Sequence, residues 1–237
     1  MAVGDQVRLI ANAYGWKIAK RTVLVEGDTD ERYLRKAAGL VAAAGGPSLL
    51  DGDFSVASCG SGDQGGIPNL KERFITIRQI ADNIDRNAAG GPKAYHFLAL
   101  FDGDSPGKKG ARSLDSQVAR FAIGRDIIIL QPEMPELRGS ADNVRAAIAS
   151  ANAGGKAVDC VIEDLVDDAF FDLFVDDDLG GSEVICDRVD GVCHRRLTTP
   201  VKARLCRYFE QHAEATEMNR FIQLLRALRA YSGAPPK

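Results

Sequence analysis

Acidic residues follow two strongly apolar segments of this chain. Glu26 ends the segment 22–26, and Asp102 and Asp104 follow the segment 95–101 as an Asp-Gly-Asp sequence. Both segments have the short, apolar character of buried β-strands. In an open α/β sheet, ligands bind beyond the carboxyl ends of the strands. If the two strands are neighbours, their three carboxylates meet and require a cation, and Mg²⁺ or Mn²⁺ suits an all-oxygen ligand set.

A turn explains each acidic motif taken alone, because Asp and Gly are favoured in turns. Two such motifs, each placed after an apolar strand and before a helix, favour a metal site instead. Asp30 lies one helical turn beyond Glu26 and is expected to face the same site. The sequence therefore predicts a cluster of carboxylates at one edge of a sheet.

Strands and helices alternate over the first 130 residues, which is typical of an α/β fold with a mostly parallel sheet. Four strands are predicted, at residues 22–26, 54–59, 95–101 and 126–130. Helices are predicted at residues 4–19, from residue 30 onward, at 68–84 and at 110–122. We therefore expect a Rossmann-type sheet of four strands, flanked by helices.

The chain changes character beyond Pro132. A helix is predicted at residues 140–152, a hairpin at 183–197 and a long basic helical tail at 200–230. Between the predicted helix at 140–152 and the tail lies an acidic segment, since residues 159–190 contain twelve Asp or Glu and one Arg. The tail reverses this charge, so the net charge of -3 neither indicates nor excludes a polyanionic partner.

We divide the chain into three parts on this pattern. Residues 1–20 form an N-terminal helix, and residues 20–165 form the catalytic domain. Residues 166–237 comprise the acidic segment, the hairpin and the basic helical C-terminal extension.

The two acidic motifs together resemble the Toprim family, the metal-binding domain of topoisomerases, bacterial primases, small RNA-maturation nucleases and OLD-type endonucleases. Glu26 with Gly27, and Asp102 with Asp104, match the glutamate and the DxD sequence that end two strands in that family. The sequence LVEGDTDERYL at residues 24–34 is most similar to the OLD-type version. The resemblance covers roughly residues 20–130 well.

Two downstream features extend the resemblance to the OLD type. The sequence VIEDL at residues 161–165 is similar to the acidic Ile-Glu-Asp segment of that branch, and Lys202 lies where OLD-like domains carry a lysine. The resemblance implies an Mg²⁺- or Mn²⁺-dependent endonuclease with two metal ions. One ion activates water and the other stabilises the leaving oxygen. Lys202 would neutralise charge on the transition state.

The resemblance also implies how the ligands divide between two ions. The first ion would be held by Glu26, Asp102 and Asp104, and the second by Asp30, Glu163 and Asp164. An alternative for Glu163 and Asp164 is the solvated start of an acidic helix. An alternative for Lys202 is an exposed lysine on a basic helix.

Basic residues offer candidate contacts with nucleic acid. Lys108, Lys109 and Arg112 directly follow the DxD sequence, and Arg204 and Arg207 belong to the basic tail. Lys and Arg bind the phosphate backbone by releasing counterions, so we expect a nucleic-acid partner, with DNA favoured over RNA. A solvated loop and a solvated helix face are the alternatives.

Two other readings of the function stay open. OLD-type proteins usually carry an ABC-like ATPase domain, whereas this chain has no GxxxxGK[ST] motif, so any ATPase is expected to be a separate subunit. The chain could accordingly be a metal- and nucleic-acid-binding subunit of a larger assembly, or form a homo-oligomer. It could also be a phosphatase with an aspartate nucleophile. Against the phosphatase, the DxD sequence follows a later strand and continues with Ser105 instead of Thr or Val.

Composition indicates a soluble, cytoplasmic protein without a membrane partner. Hydrophobic residues make up 45% of the 237 residues and charged residues 27%, and no apolar stretch approaches the roughly 20 residues that span a bilayer. Five cysteines without a CxxC pair predict reduced, partly buried thiols. A zinc site is the alternative for a group whose spacing matches no standard finger: Cys186, Cys193, His194, Cys206 and His212.

Overall fold

The protein has an α/β fold built on one parallel sheet. The computed structural model describes residues 4–60, 65–87, 94–137, 141–154, 159–178, 184–189 and 192–237. The four strands of the sheet are β1 (Arg21–Val25), β2 (Phe54–Ser58), β3 (His96–Phe101) and β4 (Ile127–Ile129). They lie in the order β2-β1-β3-β4, and every pair is parallel. The predicted fold class is confirmed.

The two acidic motifs follow the two central strands. Nearly every residue of β1 and β3 is buried, which is the pattern of strands covered on both faces. In the ladder between them, Leu24 pairs with Ala99. Because parallel strands end at the same edge of a sheet, the residues that follow β1 and β3 lie side by side.

Helices cover both faces of the sheet. Their bounds are α1 (Gly4–Ala13), α2 (Asp28–Ala43), α3 (Ile67–Asn87), α4 (Ser105–Gln117), α5 (Ala141–Ala151), α6 (Asp168–Asp178), α7 (Thr199–His212) and α8 (Asn219–Tyr231). Apolar residues of α1, α3 and α4 form a core on one face, and those of α2 and α5 to α8 form a core on the other. No helix in the described ranges is both long and apolar enough to cross a membrane.

The C-terminal helices share the core of α2. The ring of Tyr33 lies 4.8 Å from that of Phe209 in α7 and 5.4 Å from that of Phe221 in α8. The buried guanidinium of Arg229 donates to Leu49 O and to Asp51 Oδ2, each at 3.0 Å. The ring contacts fix α7 and α8 against the helix that begins at the end of β1, and Arg229 ties α8 to the segment between that helix and β2.

Three predicted helices have different bounds in the structure. The first ends at Ala13 instead of residue 19, because Gly15 adopts a φ of 73° that ends the helix. α4 begins at Ser105 instead of residue 110, since Asp104 caps it. The single helical tail is two helices, α7 and α8, separated by a 3-10 turn at Ala215–Met218.

The predicted hairpin is present, and it contains a disulfide that the cysteine count argued against. Its strands are β5 (Cys186–Val189) and β6 (Val192–Arg195); residues 183, 190 and 191 of the predicted range lie outside the described residues. Antiparallel pairing brings Cys186 and Cys193 to a Cα–Cα separation of 5.9 Å, and their sulfurs are bonded. The remaining three cysteines are free and buried, as expected.

Candidate metal centre

Glu26 and Asp102 meet at the carboxyl ends of β1 and β3. The backbone N–H of Asp102 donates to Glu26 Oε1 at 3.2 Å, so the glutamate reaches across from one strand end to the next. Both side chains are half-buried. The parallel pairing of the two strands is the cause, because it sets residue 26 beside the last residues of β3.

Asp30 reaches the same edge of the sheet from the first turn of α2. Its Oδ2 accepts the backbone N–H of Gly27 at 2.9 Å, which satisfies a donor that the start of the helix leaves free. The hydrogen bond holds the carboxylate over the end of β1, next to Glu26.

The glycine of the DxD sequence lets a distant segment approach. The N–H of Gly103 donates to Cys160 O at 2.6 Å. A Cβ at Gly103 would overlap the carbonyl oxygen of Leu130 and press on that of Cys160, so no larger residue fits without movement. This close approach carries the chain directly into the 3-10 turn Ile162–Leu165, which contains Glu163.

Glu163 is paired with Lys202 inside the site. The glutamate side chain is 1% exposed, and Lys202 Nζ lies 3.0 Å from its Oε2. The contact is a close ion pair, and Glu163 Oε2 has no further hydrogen-bond donor among the described residues. Lys202 lies in the first turn of α7. Burial lowers its pKa, but the charges of Glu163 and Asp102 outweigh burial and raise it.

Contacts between α2 and α7 fix the position of Lys202. The guanidinium of Arg32 makes a bidentate ion pair with the carboxylate of Glu210, and Lys36 Nζ donates to Glu210 O at 2.7 Å. Nothing in the sequence marks these partners, which are separated by more than 170 positions. Sequence reasoning missed them for that reason.

Glu26, Asp30, Asp102 and Glu163, together with Lys202, form what we call the carboxylate cluster. Burial raises the pKa of Glu26 to about 7, against the hydrogen bond from Asp102 N–H, and neighbouring carboxylates add to the rise. Burial and the charge of Glu163 raise the pKa of Asp30 to about 7. Burial, Asp30 and Glu26 raise the pKa of Asp102 well above its usual range. A cluster of this kind holds protons unless a further cation neutralises it.

Asp104 lies beside the cluster as the cap of α4. Its Oδ1 accepts the N–H of Gly107 at 2.7 Å, and its charge contributes to the raised pKa of Glu26. Gly107 is required there, because a Cβ would overlap the carbonyl oxygen of Asp102. Asp104 thus caps α4 with one oxygen, and its charge is close enough to the cluster to raise the pKa of Glu26.

Asp164, the neighbour of Glu163, is directed elsewhere. Its Oδ2 accepts from Val161 N at 2.9 Å and contacts His194 Nδ1 at 2.8 Å, while its Oδ1 accepts from Arg195 N at 2.8 Å. Both oxygens are therefore engaged. The structure does not bring Asp164 into the carboxylate cluster.

The predicted nucleic-acid contacts divide into paired and unpaired cations. Lys108 forms an ion pair with Asp159 at 2.9 Å, and Arg204 forms one with Asp178 at 2.7 Å. Lys109, Arg112 and Arg207 are exposed, and each lacks an ion pair within the ranges described. Lys109 and Arg112 lie on α4, the helix that begins at the DxD sequence.

The residues of the cluster fit a divalent metal, although their present arrangement is not a coordination sphere. Among the described residues, no group of three His, Cys, Asp or Glu side chains is arranged to hold an ion, which also leaves the zinc alternative without a site. The fit rests on three observations. The donors are all oxygens, four carboxylates face one ammonium, and the buried Glu163 Oε2 has no donor besides Lys202 in the described ranges.

Comparison of the whole chain with family models, curated proteins and solved structures finds no match. The chemistry of the site is therefore inferred from the positions, burial and charges of its own residues.

Proposed function

We propose that this protein is a metal-dependent nuclease that cleaves phosphodiester bonds at the carboxylate cluster. One observation carries the proposal: four carboxylates from four separate elements meet at the carboxyl edge of the sheet with a single lysine. This edge is where open α/β sheets bind ligands. The similarity of the Glu26 and DxD motifs to the Toprim family supports the same chemistry.

The excess of negative charge separates this cluster from a structural ion network. A buried ion pair is stable when its charges balance and its hydrogen bonds are complete. Here Lys202 contacts only one of four carboxylates, and the buried oxygen that it contacts has no second donor in the part of the chain that the structure describes. Bound Mg²⁺ or Mn²⁺ would supply the missing positive charge, and in nuclease chemistry two such ions activate the attacking water and stabilise the leaving oxygen.

The residues of the chain have separate roles in this proposal. Glu26, Asp102 and Asp104 would hold one ion, and Asp30 and Glu163 would hold a second. Asp164 has no role in it, because both of its oxygens are engaged. The hydrogen bond from Asp102 N–H orients Glu26, and the Gly27 N–H orients Asp30. Such fixed donors keep the carboxylates in place while substrate binds.

Lys202 and the exposed cations of α4 would act on the substrate. The Lys202 side chain is 31% exposed, so its ammonium lies at the boundary between the cluster and solvent. There it can neutralise charge that develops on a phosphodiester in the transition state. Lys109 and Arg112 are available for the flanking phosphates, because they are exposed and lack an ion pair in the described part of the chain.

The proposal is tested with plasmid DNA and with a structured RNA, each incubated with Mg²⁺, Mn²⁺ or EDTA. We expect cleavage that requires the divalent ion and falls by about a hundredfold or more in Asp102→Asn. Asp172→Asn is the matched control, because it makes the same change at an exposed site on α6. Equal cleavage in EDTA and in the variant would remove the metal mechanism.

A parallel assay with p-nitrophenyl phosphate separates a nuclease from a phosphatase. Water attacks the phosphodiester directly in the proposed reaction, so no covalent protein intermediate forms. A phosphatase with an aspartate nucleophile would form an aspartyl-phosphate and would turn over small monoesters. Rapid monoester hydrolysis with intact polynucleotide would favour the phosphatase. Metal and DNA binding without any hydrolysis would favour the non-catalytic subunit.

A further inference from the structure

The ammonium of Lys202 lies among the charges that a metal would neutralise. It contacts Glu163 Oε2 at 3.0 Å and acts electrostatically on Asp102, Asp30 and Glu26. Each of these carboxylates comes from a different part of the fold, and the charge of Lys202 acts on all four. The lysine therefore balances part of the charge that a divalent ion at this cluster would also balance.

We propose that Lys202 is the resident counter-ion of the metal-free site, and that metal binding displaces its ammonium from Glu163 towards solvent. The inference rests on the proposed function and adds the order of binding: the metal binds before the polynucleotide. Loading of the metal frees Glu163 as a ligand and releases the lysine to the open side of the site. A polynucleotide phosphate arriving there meets a cation that was not available before.

The structure allows the side chain to move while the backbone stays fixed. Lys202 N donates to Thr198 O at 2.9 Å within the first turn of α7, and the helix is tied to α2 through Arg32 and Glu210. In contrast, the side chain is 31% exposed and ends in a flexible four-carbon stem. Displacement needs only a change of side-chain rotamers, with no movement of α7.

The contact that must break is an incomplete one. Lys202 engages one oxygen of Glu163, and within the described part of the chain that buried oxygen has no second donor. A monovalent ammonium also cannot balance four carboxylates, whereas a divalent ion brings twice the charge and can coordinate several oxygens at once. The cluster therefore gains more from the metal than it loses with the lysine.

Two roles of Lys202 predict opposite changes in metal affinity: a lysine that the metal displaces, and a lysine that only holds the site together. If Lys202 competes with the metal, its neutral replacement Lys202→Met should bind Mn²⁺ more tightly, by about tenfold. If the lysine instead builds the site by holding Glu163, the same variant should bind Mn²⁺ more weakly. Lys20→Met is the matched control, since it breaks an exposed ion pair with Asp53 just before β1, at the end of that strand opposite the cluster.

The experiment is calorimetric titration of the full chain with MnCl₂, paired with thermal unfolding in EDTA and in Mn²⁺. We expect Lys202→Met to bind more tightly than wild type and to unfold at a lower temperature in EDTA. We also expect Mn²⁺ to raise its Tm by more than it raises that of wild type, whereas Lys20→Met should match wild type in Mn²⁺ affinity and in the rise of Tm. Lys202→Gln gives the same comparison with a different neutral side chain.

Equal or weaker Mn²⁺ affinity in both Lys202 variants would overturn the displacement. The two proposals fail in different ways. If wild type binds no Mn²⁺ and cleaves nothing, the proposed function falls and displacement falls with it. If wild type binds Mn²⁺ and cleaves nucleic acid but the Lys202 variants bind Mn²⁺ no more tightly, only displacement is overturned.

Discussion

Two buried charged clusters lie on either side of the 3-10 turn Ile162–Leu165, and adjacent residues of that turn enter different ones. Glu163 belongs to the carboxylate cluster. Asp164 belongs to a second group, formed with His194, Arg195 and Asp168, which we call the Arg195 cluster. Arg195 Nη1 donates to Glu163 O at 2.8 Å and to Val166 O at 2.9 Å, and its Nη2 donates to Asp168 Oδ1 at 2.5 Å.

The two clusters differ in balance and in completeness. In the Arg195 cluster both oxygens of Asp164 are hydrogen-bonded, and Arg195, 2% exposed, also lies 4.2 Å from the centre of the Phe171 ring. In the carboxylate cluster four acids share one lysine, and the buried Glu163 Oε2 has no other donor among the residues that the structure describes. Burial of charge is common to both, so burial alone does not mark a candidate site. Unbalanced charge does.

The largest expected effect is the loss of stability in Asp164→Ala. The substitution leaves Val161 N–H, Arg195 N–H and His194 Nδ1 without their acceptor and removes a charge from beside the buried Arg195. We expect the free energy of unfolding to fall by about 3–5 kcal/mol, measured by urea denaturation. The control Asp172→Ala, at an exposed site, should change it by less than about 0.5 kcal/mol.

A small change of stability in Asp164→Ala together with lost metal binding would reverse the comparison. Asp164 would then act in the carboxylate cluster, as the sequence predicted. The result would also show that the Arg195 cluster does not depend on this carboxylate.

The next effect is the pH dependence of stability in the absence of metal. Burial, followed by neighbouring carboxylates, raises the folded-state pKa of Glu26 and Asp30 to about 7, against ordinary values near 4. The folded protein therefore holds protons that the unfolded chain releases between about pH 4 and 7. The stability contributed by these protons is complete at the low end of that window and is lost as the pH rises through 7.

In EDTA we expect stability to fall by roughly 2 kcal/mol between pH 5 and pH 8, after allowance for solvent screening. Saturating Mn²⁺ should abolish this fall, and Glu26→Gln should flatten it. Hydrogen bonds from Arg32 lower the pKa of Glu210, so this residue loses its proton below pH 5 and does not contribute to the expected fall in stability. Equal stability at pH 5 and pH 8 in EDTA would mean that the cluster carries no excess charge.

The sheet and the central acids of the site could be predicted because they depend on local patterns. Apolar strands 22–26 and 95–101 each end in acid, and parallel strands end at one edge, so Glu26 and Asp102 had to be close if the strands were neighbours. Asp30 followed from helical spacing. These steps use distances along the chain of a few residues.

The division between Glu163 and Asp164 could not be predicted. Both are acids in one short segment, and the turn decides which of them faces the cluster. Arg195 fixes this turn by hydrogen bonds to its backbone, and it comes from a hairpin about thirty positions away. Nothing in the sequence distinguishes Arg195 from the other basic residues. The disulfide between Cys186 and Cys193 was missed for a related reason, because it depends on the register of that hairpin.

The third effect is the weakening of metal binding in Glu163→Gln, with stability retained. The substitution keeps the volume of the side chain, and Lys202 still lies near the other three carboxylates, so stability in EDTA should change little. Mn²⁺ affinity should fall by about tenfold, since the proposed carboxylate ligand is replaced by a neutral amide that binds these ions poorly. Calorimetric titration and urea denaturation of the same preparations measure both quantities.

Comparing Glu163→Gln with Asp164→Asn tests directly whether the two clusters differ in function. The second variant should lose stability and bind Mn²⁺ normally while it is folded. Matching losses of stability in the two variants, with unchanged Mn²⁺ affinity in both, would assign Glu163 to the structural group.

The smallest expected effect concerns the cations of α4, where paired and unpaired residues again stand side by side. Lys108 is held by Asp159 at 2.9 Å, whereas Lys109 and Arg112 are exposed and make no ion pair within the described segments. Each cation that docks on a phosphate of duplex DNA steepens the fall of log affinity against log salt by about 0.9. Lys109→Gln and Arg112→Gln should each reduce that slope by about this amount and weaken binding a few-fold, whereas Lys108→Gln should leave the slope unchanged. Fluorescence anisotropy of a labelled duplex, measured at several salt concentrations in the Asp102→Asn background, avoids cleavage during the titration. A reduced slope in Lys108→Gln alone would mean that DNA opens the ion pair with Asp159, and that paired cations at this edge are also available to the substrate.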